Sequence, residues 1–141
     1  MEGGTRAFWD AVRERWRAPD PQREEEVVLD VLGHLARRLP GPEAQHLKSR
    51  LPAELRAWPE LEPERRRVDA EPQERFRYAD LVFAVADKTG FADPEDADAA
   101  VRAVLRGVGR MLDARERCHI AAQLPADLRA VWEEQMRGRA G

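Results

Sequence analysis

The chain contains two copies of one long pattern, and this constrains its fold more than any other feature. Leu51-Pro52-Ala53-Glu54-Leu55-Arg56-Ala57-Trp58 returns as Leu124-Pro125-Ala126-Asp127-Leu128-Arg129-Ala130-Val131-Trp132, an offset of 73 positions (124 minus 51). Without a gap the same offset pairs Asp20-Pro21 with Asp93-Pro94, Val28 with Val101, and Val31-Leu32 with Val104-Leu105. It also pairs Leu39 with Leu112, Glu43 with Glu116 and His46 with His119. Two long copies do not make a solenoid, which stacks about three or more short units. The expectation is a single domain over 5–137, with repeat one at 8–60, a connector at 61–72 and repeat two at 73–134. Units of about 55 residues are marginal alone, so the halves are expected to share a core.

Within each copy the apolar spacing is helical. Phe8, Trp9, Val12 and Trp16 fall within an arc of about 100°, an amphipathic helix with an aromatic face that starts near Thr5 and stops at Ala18-Pro19. Its counterpart, about 73–89, carries Phe76, Leu81, Val82, Phe83, Val85 and Ala86. Apolar residues surround more of this second helix, so it is expected deeper in the core. Gly90 reads as the glycine just past its end, with Phe91 placed for the contact that accompanies such caps.

Asp20-Pro21 and Asp93-Pro94 open the next helix in each half, the carboxylate capping free N–H groups and the proline sitting where an N–H has no partner. Val28, Val31, Leu32, Leu35 and Leu39 trace one apolar stripe, and Val101, Val104, Leu105, Val108 and Leu112 its copy. These helices, 27–39 and 100–112, are expected at the centre. Gly107 and Gly109 each cost about 1 kcal/mol of helix propensity, which calls for close approach of another backbone. A third helix follows in each half, with Asp113 and Glu116 at capping-box spacing. Proline then disfavours helical geometry at Leu51 and Leu124, so each Leu-Pro pair marks a helix–helix corner. The fold class is therefore all-α, about eight helices in two pseudo-symmetric four-helix repeats.

Charge and composition narrow the function. The formal net charge is −3, which argues against a general nucleic-acid or membrane-surface binder. No apolar run approaches the ~20 residues of a membrane span, and the N-terminus lacks the apolar region of a secretory signal. The single cysteine, Cys118, excludes an internal disulfide and suits a reducing compartment, so a cytoplasmic location is expected.

The order of these signals resembles an uncharacterised bacterial family, domain of unknown function 2267. The resemblance is carried by the Leu81-to-Phe91 helix with its glycine stop, by Ala99-Ala100-Val101-Arg102-Ala103-Val104-Leu105, and by Gln123-Leu124-Pro125-Ala126-Asp127-Leu128-Arg129. The first half departs from it, with Arg17 where the second has Gly90 and Arg50 where it has Gln123. The resemblance implies an all-helical fold and no established activity.

Glu43-x-x-His46 and Glu116-x-x-His119 form the sharpest chemical constellation, because Glu-x-x-His pairs on two helices, with carboxylates from two others, hold paired metals in helical bundles. Helical periodicity turns both histidines more than about 100° from the core direction set by Leu47 and Leu51, or Ile120 and Leu124. The glutamates, moreover, sit in first turns, where a cap or dipole role suffices. Arg65, Arg66 and Arg67 are interleaved with glutamates, so nucleic acid is an unlikely partner through them. Trp9, at the edge of its apolar arc, is the aromatic residue most suited to a protein partner, and Arg65, Arg66 and Arg67 are further candidates for such a contact.

No catalytic residue and no cofactor is identified. The expected function is a non-enzymatic protein-interaction or self-association module, bound to a protein partner or to itself as a homo-oligomer. The alternative is a metal-binding bundle through Glu43, His46, Glu116 and His119, holding iron, manganese or zinc. The third reading is weak nucleic-acid binding through the arginine-rich connector.

Overall fold

In a computed structural model of the chain, residues 2–56 and 76–138 are described. Trp58, the connector and Arg65, Arg66 and Arg67 lie outside them. The described residues form eight helices and no strand: α1 (Glu2–Arg15), α2 (Pro21–Arg37), α3 (Gly41–Arg50), α4 (Ala53–Arg56), α5 (Tyr78–Thr89), α6 (Pro94–Arg110), α7 (Ala114–Gln123) and α8 (Ala126–Gly138). The 73-residue offset maps α1 onto α5, α2 onto α6, α3 onto α7 and α4 onto α8.

Local chemistry sets the boundaries. The Asp20 carboxylate accepts the Arg23 N–H at 2.8 Å, and Asp93 accepts the Glu95 N–H at 2.9 Å. Pro21 and Pro94 follow in the first turn, where their missing N–H costs nothing. Leu51 and Leu124 are extended, at φ −77° and −87°, so both Leu-Pro corners turn as the proline rule requires. Gly90 ends α5 at φ +78°, in the left-handed region that glycine enters without steric cost.

The central stripes are buried throughout, α2 through Val28, Val31, Leu32, Leu35 and Leu39, and α6 through Val101, Val104, Leu105, Val108 and Leu112. One core cluster runs across both repeats. The first helices are exchanged between the halves: α1 lies chiefly along α6, the central helix of the other repeat, while α5 packs against both α2 and α6. Neither half closes its own core.

The exchange turns on Gly107. A methyl group there would meet Val12 Cγ2 at 2.8 Å and the Phe8 ring at 3.1 Å, so only a glycine lets α1 seat this closely. The approach is made by side chains of α1, where the sequence pointed to a second backbone. Gly109 is similar in kind, its space taken by the end of the Met136 side chain at 2.6 Å. α5, expected deeper than α1, buries Leu81, Val82, Val85, Ala86 and Thr89 but leaves Phe83 57% exposed, and in α1 Phe8, Ala11 and Val12 are fully buried. The position equivalent to Gly107 in α2 is His34.

The two glycines differ in what must yield. Val12 is short, β-branched and fully buried, so Gly107→Ala is expected to destabilise by about 1–3 kcal/mol through overpacking, despite the propensity gained. Gly109→Ala displaces only a flexible methionine end and is expected to be close to neutral. Urea unfolding of the two variants tests this, and equal losses would contradict the assignment of Gly107 as the seat.

Candidate functional site

The corners that follow α2 and α6 bring α3 and α7 side by side, one from each repeat. The two Glu-x-x-His motifs meet across this junction reciprocally. His46 Nε2 donates to Glu116 Oε2 at 2.6 Å, and His119 Nε2 donates to Glu43 Oε2 at 2.8 Å. Both imidazoles are exposed, on the side of their helices that the periodicity indicated. The four residues line one open cleft of about 720 Å³, together with Asp113 and Cys118. Thus all four sequence candidates assemble, as two crossed pairs between repeats.

The pairs are unequal because the repeats have diverged around them. Glu116 belongs to a capping box, its Oε1 accepting the Asp113 N–H at 2.8 Å while Asp113 accepts the Glu116 N–H at 2.7 Å. Its Oε2 takes a further bond from Arg50 at 2.9 Å. The Asp113 N–H, His46 and Arg50 together hold the Glu116 carboxyl down at about 2. Glu43 has Pro40 where Asp113 stands and Gln123 where Arg50 stands. Its pKa is lowered chiefly by the His119 bond. Among the described residues no group of three or more His, Cys, Asp and Glu is placed to hold a metal ion. As they stand, the pairs tie one repeat to the other through two reciprocal hydrogen bonds at an exposed surface.

Trp9 is half-buried and engaged. Its ring meets Phe8 edge to face at 5.0 Å, and its Nε1 donates to Glu54 Oε2 at 3.2 Å, linking α1 to α4. Trp132 is fully buried, and Trp16 is half-buried against Phe91, their rings 6.1 Å apart. His34 lies inside the fold, and burial pushes its pKa down to about 4, helped by the positive charges of Arg37, Arg38 and Lys88. Tyr78 donates its hydroxyl to Asp98 at 2.6 Å, while Arg102 bridges Asp98 at 3.0 Å and Glu134 at 2.7 Å. That network joins α5, α6 and α8.

Sequence reasoning missed a groove between α7 and α8. It has a volume of about 540 Å³ and is lined by Ala114, Cys118, Ala121, Ala122, Trp132 and Met136, with Arg117, Arg129, Glu133 and Arg137 along its rim. The two rim arginines nearest its floor hold the corner together: Arg117 donates to the carbonyls of Gly109 and Leu112, and Arg129 to that of Ala121. The signal was present in the comparison of repeats. At the positions of Cys118, Ala121 and Ala122 the first copy has Gln45, Lys48 and Ser49, so only the second copy is apolar here.

A family model described as "Uncharacterized conserved protein (DUF2267)" matches residues 5–91 and again 78–140. Two matches to one model within a single chain are what an internal duplication produces, and α5 falls in both. No curated protein and no solved structure matches the chain. Among the described residues no helix is long and apolar enough to cross a membrane.

The two perturbed acids and bases set separate steps in stability against pH. His34 has a folded pKa near 4 below its ordinary 6.5, so the unfolded chain takes up the proton first. Stability is expected to fall by the order of 3 kcal/mol as pH drops from about 6.5 to 4. For Glu116 the folded value near 2 lies below the ordinary carboxyl range, which gives a smaller loss below about pH 4.5 at this solvent-facing site. Melting temperatures measured against pH should show His34→Gln removing the upper step and Glu116→Gln the lower. Profiles of both variants parallel to the wild type would contradict the assignments.

Proposed function

We propose that this chain, which belongs to the DUF2267 family, is a non-enzymatic helical module that takes the helix of a protein partner into the groove between α7 and α8. The observation that carries the reading is the groove's make-up: small side chains at Ala114, Cys118, Ala121 and Ala122 opposite Trp132 and Met136. Small residues on one wall let a partner's backbone approach, the part-exposed Met136 on the other supplies adaptable apolar contact, and the buried Trp132 backs that wall. Three arginines against one glutamate on the rim select for acidic flanks on the partner. The volume lies within the range of ordinary binding clefts, about 300–1,000 Å³.

A library of displayed helical peptides, selected against the purified full chain, tests this. The expected outcome is enrichment of amphipathic sequences with acidic residues beside the apolar face. Their affinity should drop at least about tenfold against Ala122→Glu, an exposed position in the groove. No enrichment, or enriched peptides that bind Ala122→Glu as well as the wild type, would sink the reading.

The alternative is a metal centre at Glu43, His46, Glu116 and His119, and one observation favours it: all four line a single cleft. To ligate, Glu116 must give up Arg50 and His46, and His119 must leave Glu43. Elemental analysis of protein purified without a metal-affinity step decides between the two. The expected result is no stoichiometric iron, manganese or zinc. Metal present in the wild type and absent from the double variant His46→Ala/His119→Ala would put the metal centre in its place.

A further inference from the structure

At the positions of Cys118, Ala121 and Ala122 in the groove, the second repeat is apolar where the first has Gln45, Lys48 and Ser49. A second difference is on α5. Phe83 stands 57% exposed, the sole large hydrophobic residue so placed among the described residues. Ala79, Asp80 and Asp87 share its side of the helix within about 100° of arc, and all three are exposed. Neither Asp80 nor Asp87 is ion-paired among the described residues. The first repeat has Asp10 at the position of Phe83 and Arg6 at that of Ala79. Where the first copy is solvated, the second presents an aromatic side chain with carboxylates on either side.

These two features complement one another. The α5 face offers one large apolar anchor and two carboxylates on a helix. The α7–α8 groove offers an apolar floor with Arg117, Arg129 and Arg137 around it. Phe83 does not line that groove in its own molecule, and the contact therefore has to be made between molecules. We propose that the occupant of the groove is a second copy of this chain, inserting Phe83 of α5 with Asp80 and Asp87 set against the rim arginines. The inference rests on the groove reading above and names its partner. Because the two patches differ, the contact either closes reciprocally in a twofold dimer or runs head to tail into a ring or an open chain.

Velocity sedimentation of the full chain over a wide concentration range, with Phe83→Asp and Ala122→Glu as variants, tests the proposal. Both substitutions fall at exposed positions, and Phe83→Asp places there the residue type of the first repeat. The wild type is expected to associate, more weakly as salt is raised. Each variant alone should associate at least about tenfold more weakly. An equimolar mixture of the two should recover association and stop at a dimer, since one intact face and one intact groove remain between them. The single cysteine, Cys118, lines the groove and provides a second readout. Its alkylation should slow as wild-type concentration rises and should not slow for Phe83→Asp.

A wild type that stays monomeric throughout would overturn this proposal, and so would variants that associate like the wild type or a mixture that fails to recover. If peptides are still selected by the groove, the groove reading survives and only the identity of its occupant is wrong. If neither peptides nor a second copy bind, both readings fail.

Discussion

The seating of α1 on α6 at Gly107 is the constraint from which the rest of the structure follows. A side chain at that position would collide with Val12 and Phe8, and without close contact these two residues could not be fully buried. Burying a valine and a phenylalanine stabilises by about 1.5–3 kcal/mol each. Since α1 belongs to one repeat and α6 to the other, that gain exists only when both halves are folded together. The duplication therefore yields one interdependent unit, with the central helices in contact, α1 laid along the central helix of the other repeat and α5 packed against both.

The polar ties between the halves follow the same logic. A motif repeated at a fixed offset, in halves related by a pseudo-twofold axis, meets its copy reciprocally wherever that axis passes between the two helices carrying it. Glu-x-x-His is such a motif, and His46–Glu116 and His119–Glu43 are the result. Divergence then made the pairs unequal, with Asp113 and Arg50 reinforcing Glu116 while Pro40 and Gln123 stand in the equivalent positions around Glu43. In the structure the two Glu-x-x-His motifs form an interlock whose most heavily bonded member, Glu116, is also a helix cap.

Much of the architecture was legible from residues alone. The caps at Asp20, Asp93 and Asp113, the Leu-Pro corners, the glycine stop at Gly90 and the two central stripes are all local signals, each with a local physical cause. What escaped the sequence was relational. Helical periodicity says that a face is apolar without saying which helix will cover it, so the seat of α1 on the central helix of the other repeat was invisible. Gly107 announced a close approach, but not that its partners would be side chains from the other repeat. The site was half legible for the same reason. The four residues could be picked out and their outward direction computed, but their pairing depends on where the pseudo-twofold axis runs.

A duplicated chain gains a freedom that a single repeat lacks, because the two copies share one core but not one surface. The core demands are symmetric in kind, and both copies retain the central stripes, the Asp-Pro caps and the Leu-Pro corners. Surface positions carry no such demand, and there the copies part: Gln45, Lys48 and Ser49 against Cys118, Ala121 and Ala122, and Asp10 against Phe83. The first helices show the result: α5 buries Leu81, Val82, Val85, Ala86 and Thr89 against the shared core, while its solvent face, under no such demand, carries Phe83 as an anchor where α1 carries Asp10.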